Sequence, residues 1–205
     1  MNRVKLSLVL GLGLLFLWAA CRGGEVSSTK IKVGDKMADF TLPDVHGTPH
    51  RLYDFQGKKA VVVIFIATHC PYSNAFNHVM ANLAHEYENR GVAFVGINAN
   101  KTEPVAEVAE HASTHGLDFL ILKDDGDQIA DRLGASVTPE VFLLDSDWTL
   151  RYHGALGNSH QPSTNPNKAT DEEIRPALNS VLAGKPVVAT ETKAFGCSIK
   201  RVRMG

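Results

Sequence analysis

Residues 61–76 read "VVVIFIATHCPYSNAF": seven apolar residues, Val61 to Ala67, run into Thr68, His69, Cys70 and Pro71. Together with the preceding "KKA" of residues 58–60, the run is β-branched and has no polar alternation, which is the pattern of a strand covered on both faces. Beyond it Ala75, Phe76, Val79, Met80, Leu83, Ala84 and Tyr87 recur at three- and four-residue spacing, so a helix is expected there, closed by Gly91, with Asn77, Glu86, Glu88 and Asn89 turned to water. Cys70 therefore falls at a strand-to-helix junction. Pro71 suits the first helical position, where a missing N–H costs nothing.

That placement has chemical meaning. The reactive form of cysteine is the thiolate, and an ordinary cysteine, with a pKa of about 8.5, is mostly protonated at neutral pH. The unpaired N–H groups and dipole of a helix start favour the anion, and a protonated His69 would add to the effect. Cys70 is thus the candidate nucleophile and His69 its candidate activator. The plainer reading of Cys70 is a small buried apolar residue.

Working outward, "ADFTLPDVHGTPHRL" (38–52) gives two short segments about a turn at Gly47. "VAFVGIN" (92–98) is a second buried strand and "PVAEVAEHASTHG" (104–116) a second helix. "FLIL" (119–122), "EVFLLD" (140–145) and "TLRYHG" (149–154) are strands, and "DQIADRLG" (127–134) is a brief helix. "ATDEEIRPALNSVLAG" (169–184) is the last helix, with Thr170 as its N-cap and Pro176 delaying its start. This order predicts an α/β fold: a central mixed β-sheet flanked by helices on both faces.

With 205 residues, 44% of them apolar and 21% charged, the chain has the makings of one domain with appendages. A formal net charge of -1 supplies no basic field for nucleic acid, so that class of partner is set aside. Arg3 and Lys5 precede the short apolar run "LSLVLGLGLLFLWAA", which reads as a secretory signal over residues 1–20. Leu17 to Cys21 resembles a bacterial lipoprotein signal, although Trp18 departs from the small or aliphatic residue usual there, and makes Cys21 a lipidation candidate. Residues 21–32 read as a flexible tether, 33–184 as the domain and 185–205 as a tail carrying Cys197. The expected location is the periplasm or cell envelope, with membrane contact only through the lipid on Cys21. Cys70 and Cys197 are then a disulfide pair or two unrelated thiols; spacing alone does not choose.

Four stretches carry a family resemblance: "VGDKMADFTLPDVHG" (33–47), "FIATHCPYS" (65–73), "GASVTPEVFLLDSDWTLRYHG" (134–154) and "LAGKPVVATETKAFGCSIKR" (182–201). Together they resemble the thioredoxin superfamily, in its peroxiredoxin-like (AhpC/TSA-type) redoxin branch. The resemblance implies a thioredoxin-like fold and a typically cis Thr138–Pro139 bond lying against the thiol, with Thr138 offering its backbone to substrate. It also implies a thiol-based oxidoreductase acting on protein thiols and disulfides or on small peroxides, without a cofactor. Three departures qualify it. Ser73 stands where a thioredoxin-type reductase has its second cysteine, and Val63 and Ala67 stand where a peroxiredoxin has Pro and Thr or Ser. Ile64 occupies the place of thioredoxin's buried acid.

Cys197 is the candidate resolving thiol if the tail folds back over the helix start. Tyr72 and Phe76 are candidates to line the thiol or fill the core, and Glu140 is a lesser candidate for moving protons. The expected activity is thiol–disulfide exchange at Cys70; the alternatives are a peroxidase of the peroxiredoxin-like type and a non-catalytic binding module. From another class, His111 and His115 have helical spacing suited to sharing a metal ion, and His69 with Cys70 suits copper, but neither pair has further ligands close by. "KDDGD" (123–127) reads as a strand-to-helix turn rather than a calcium loop.

Overall fold

The computed structural model describes residues 30–158 and 161–201, so the expected secretory signal of residues 1–20, the lipidation candidate Cys21 and nearly all of the segment read as a tether lie outside the described residues. Strands β1 (Thr41–Pro43) and β2 (Pro49–Arg51) form a hairpin whose turn places Gly47 at φ +84°, a conformation glycine adopts without strain. A 3₁₀ turn over Leu52–Phe55 leads into β3 (Ala60–Phe65). Then follow α1 (Pro71–Ala75), α2 (Asn77–Glu88), β4 (Val92–Asn98), α3 (Val105–Thr114), β5 (Leu120–Lys123) and α4 (Gln128–Leu133). The chain closes with β6 (Val137–Thr138), β7 (Glu140–Asp145), β8 (Leu150–Gly154), α5 (Ile174–Leu182) and β9 (Cys197–Ser198).

The main sheet has the order β5-β4-β3-β7-β8, with β3, β4 and β5 parallel and β7 and β8 antiparallel. β3 lies at its centre, and none of its six residues is more than 1% exposed. Its side chains alternate between two cores. Ala60, Val62 and Ile64 meet α2, α3 and α5 on one face, while Val61, Val63 and Phe65 meet α4 and the β1–β2 hairpin on the other. The unbroken apolar run in the sequence is thus a strand with no solvent face. This mixed sheet, with helices on both faces, is the fold class that the strand and helix order predicts.

Local departures have physical causes. The expected single helix after Cys70 is broken at Phe76, whose N–H bonds the Ser73 carbonyl three residues back. Asn77, expected in water, is buried and hydrogen-bonds the His111 ring at 3.1 Å. Thr170 is not the cap of the last helix; its N–H donates to Asn158 Oδ1 at 2.8 Å, and α5 begins at Ile174. Pro176, lacking an N–H, then occupies the first turn, where none is required.

After α5 the chain returns along the outer edge of β8. The His153 N–H donates to the Thr190 carbonyl at 3.0 Å and the Thr192 N–H to the His153 carbonyl at 3.1 Å. It then crosses to pair β9 with β6 in a separate two-stranded antiparallel ribbon.

Candidate active site

Cys70 is the N-cap of α1, 2% exposed, directly beyond the end of β3. Its sulfur accepts the Ser73 N–H at 3.4 Å, the usual bond between an N-cap and the third helical residue. Ser73, in place of a second cysteine, is fully buried, and its Oγ accepts the Ala67 N–H at 3.1 Å. That bond ties the end of the strand run to the first helical turn.

The Thr138–Pro139 peptide bond is cis, and Thr138 presents its carbonyl to Cys70, whose thiol donates to it across 3.1 Å. β6–β9 pairing sets Cys197 opposite Thr138, and the Cys197 N–H donates to the Cys70 sulfur at 3.4 Å. Both thiols are free. Burial pushes the half-buried Cys197 thiol up to about 11, and its interactions with Cys70 act in the same direction. Cys197 therefore keeps its proton at neutral pH. Cys70, Thr138, Pro139 and Cys197 converge on one point, with two amide hydrogens aimed at the Cys70 sulfur.

His69 turns elsewhere. Its ring is largely exposed and lies 2.9 Å from Glu107 and 4.0 Å from Glu103. The residue before the thiol is thus held by carboxylates of α3 and the loop preceding it. His111 and His115 stack ring on ring with centroids 4.1 Å apart. Among the described residues no group of three or more His, Cys, Asp or Glu side chains is arranged to hold a metal ion.

Two buried carboxylates brace the site, and the larger role belongs to one that sequence reading does not single out. Glu103 accepts the N–H groups of Thr68 at 3.0 Å and His69 at 3.1 Å, and the Asn98 amide at 2.5 Å. Burial alone would raise its pKa, but these donors hold it below the usual carboxylate range. Asn98 in turn accepts from the buried Lys123 ammonium at 2.8 Å, so the ends of β3, β4 and β5 are joined by one polar chain. Glu140, the lesser candidate for proton transfer, accepts the Ser136 and Val137 N–H groups at 2.7 and 3.1 Å and pairs with His153 at 2.6 Å. Burial is again outweighed, chiefly by the His153 bond, leaving its pKa low. Its geometry is that of a brace for the loop entering Pro139.

Comparison with known proteins identifies the family and the fold. Residues 33–153 match the AhpC/TSA family. Thiol-disulfide oxidoreductase ResA of Geobacillus thermodenitrificans is 32% identical over 123 residues, which are 60% of this chain and 69% of that protein. The crystal structure of a hypothetical protein from Sinorhizobium meliloti 1021 superposes with a TM-score of 0.76 at 32% identity, covering 86% of this chain and 98% of its own. The thioredoxin domain of a thiol-disulfide oxidoreductase from Bacteroides vulgatus superposes with a TM-score of 0.55 at 17% identity, covering 63% and 92% respectively, and shares the fold. The chain belongs to the AhpC/TSA family of oxidoreductases and carries it on a thioredoxin-like fold.

Proposed function

We propose that the protein is an exported thiol–disulfide oxidoreductase in which Cys70 is the nucleophile and Cys197 the resolving thiol. The observation that carries this reading is the register of β9 on β6, which brings a second thiol to the first from 127 residues away. Its similarity to a thiol-disulfide oxidoreductase supports the reaction class.

In the first step the Cys70 thiolate attacks one sulfur of a partner disulfide. A Cys70–partner S–S bond forms, the partner's own S–S bond breaks, and the departing thiolate takes up a proton. The Ser73 and Cys197 amides both point at the attacking sulfur. In the second step Cys197 gives up its proton and attacks the Cys70 sulfur. A Cys70–Cys197 disulfide forms and the partner's second thiol leaves. The partner gains two electrons and two protons, and the two cysteines are oxidised; a thiol donor returns them. Thr138 holds the approaching chain through its backbone, and Pro139 fixes that backbone against Cys70. The leader of residues 1–20 and the lipid on Cys21 would place the reaction in the periplasm or cell envelope.

The test is incubation of the full chain with oxidised glutathione, followed by non-reducing mass spectrometry. The expected product is an internal Cys70–Cys197 disulfide, with a glutathione adduct on Cys70 accumulating in Cys197→Ser. Rapid peroxide consumption with sulfenic acid on Cys70 and no exchange would replace this reading with a peroxidase. An inert Cys70 would leave a binding module.

A further inference from the structure

The tail does more than deliver Cys197, because it fills the strand edge that Thr138 would offer to another polypeptide. Val137 and Thr138 pair with Ser198 and Cys197, and the Ile199 N–H continues the ladder to the Ser136 carbonyl at 3.0 Å. Each tail residue meets a different requirement. Phe195 packs on Tyr72 edge-on, with centroids 5.8 Å apart, and on Phe76 at 6.1 Å. Gly196 passes so close to Thr138 that a Cβ there would overlap the Thr138 carbonyl oxygen, and its φ of +150° is one that side chains disfavour. Cys197 reaches Cys70, Ser198 faces solvent, and Ile199 is buried beside the α4 core.

We propose that residues 195–199 are a built-in occupant of a polypeptide-binding edge, and that a protein partner reaches Cys70 by displacing them with an extended segment of the same pattern. That pattern is aromatic, glycine, cysteine, any residue, aliphatic. The inference rests on Cys70 as the exchange centre proposed above and names the class of partner. Backbone pairing along an open strand edge supplies affinity, and the alternating pockets supply selection. A partner cysteine in this register takes the place of Cys197, with its own N–H directed at the Cys70 sulfur. With the tail docked, Cys70 is 2% exposed, so access for a polypeptide depends on its release.

The experiment measures binding of the peptide Ala-Phe-Gly-Ser-Ser-Ile-Lys, which is residues 194–200 carrying Cys197→Ser, to the full chain by fluorescence anisotropy. In Gly196→Ala the chain's own tail no longer fits, and the peptide is expected to bind at least about tenfold more tightly than to the wild type, a difference of about 1.4 kcal/mol. Phe195→Ala, which vacates the aromatic pocket without touching the Thr138 contact, is expected to act in the same direction. A peptide with alanine in place of its glycine is expected to bind at least about tenfold more weakly. Equal affinity for the wild type and both variants, or equal binding of the alanine peptide, overturns the proposal. The peptide has no thiol, so its binding is independent of exchange. Loss of glutathione exchange with peptide binding intact would instead remove the proposed reaction and leave this surface.

Discussion

The carboxylate of Glu103 accepts the N–H of His69 at 3.1 Å, so the loop that carries the candidate nucleophile is anchored by the segment leading into α3. The same carboxylate holds the Thr68 N–H and the Asn98 amide, and Glu103, Thr68 and Asn98 are all buried. The backbone just before Cys70 is therefore fixed by an anion rather than by a neighbouring strand.

Replacing that anion should be costly. In Glu103→Gln the amide half of the new side chain faces a donor, leaving at least one N–H of this loop without its acceptor, at a cost of about 1–3 kcal/mol. Because the folded-state pKa of Glu103 lies below its unfolded value, the carboxylate's contribution is fully present above about pH 4.5 and is lost as pH falls through the folded pKa. Urea unfolding is expected to show the wild type more stable than the variant at neutral pH, with the gap closing in acid. A gap that persists unchanged in acid would contradict the assignment.

The resolving step has its own pH dependence. Burial is the leading cause that holds the Cys197 thiol up at about 11, ahead of its interactions with Cys70, and resolution of a Cys70 adduct requires that thiol to ionise. Well below such a pKa, the thiolate fraction rises about tenfold per pH unit. Stopped quench of the Cys70–glutathione adduct in the wild type should therefore show resolution still accelerating between about pH 7 and about pH 9. A plateau near neutrality would show that burial does not control Cys197.

Ser73 offers a test of why serine replaces a second thiol. Its Oγ is the acceptor for the buried Ala67 N–H, so Ser73→Ala should destabilise the fold by about 1–3 kcal/mol through one unsatisfied donor. Exchange chemistry should survive, since the Ser73 N–H that faces Cys70 belongs to the backbone. Thermal melting and glutathione exchange, measured on one preparation, separate the two effects.

These residues also mark how far the sequence can be read. β3 was legible because both of its faces are apolar, and the junction at Cys70 and Pro71 follows from it. Thr138 and Pro139 were legible through a family pattern. Glu103 was not, since an acid just before a helix ordinarily faces water, and only the approach of Thr68 and His69, 35 and 34 residues earlier, turns it inward. The same kind of long-range pairing was hidden at His69, whose ring meets Glu107 of α3 although only its adjacency to Cys70 is visible in the sequence. Gly196 was not legible either, because nothing local reveals the Thr138 carbonyl packed against it.

The tail's attachment gives a last prediction. The Tyr152 hydroxyl donates to the Ala155 carbonyl at 2.6 Å, and burial pushes its pKa well above the usual phenol value, so it stays a donor. Its one hydrogen thus committed, the 2.6 Å contact with Thr192 must be donated by Thr192 Oγ1, which in turn accepts the Ala155 N–H at 3.0 Å. Thr192→Val keeps the shape and removes both bonds, each contributing about 0.5–1.5 kcal/mol. A loss of about 1–3 kcal/mol raises the population with a released tail by roughly 5- to 160-fold. Cys70 is nearly inaccessible while β9 is docked, so its alkylation by a bulky maleimide, followed by mass spectrometry, should speed up by the same factor. An unchanged rate would mean that reagents reach Cys70 without the tail moving, and the docked strand would then be no barrier to the thiol.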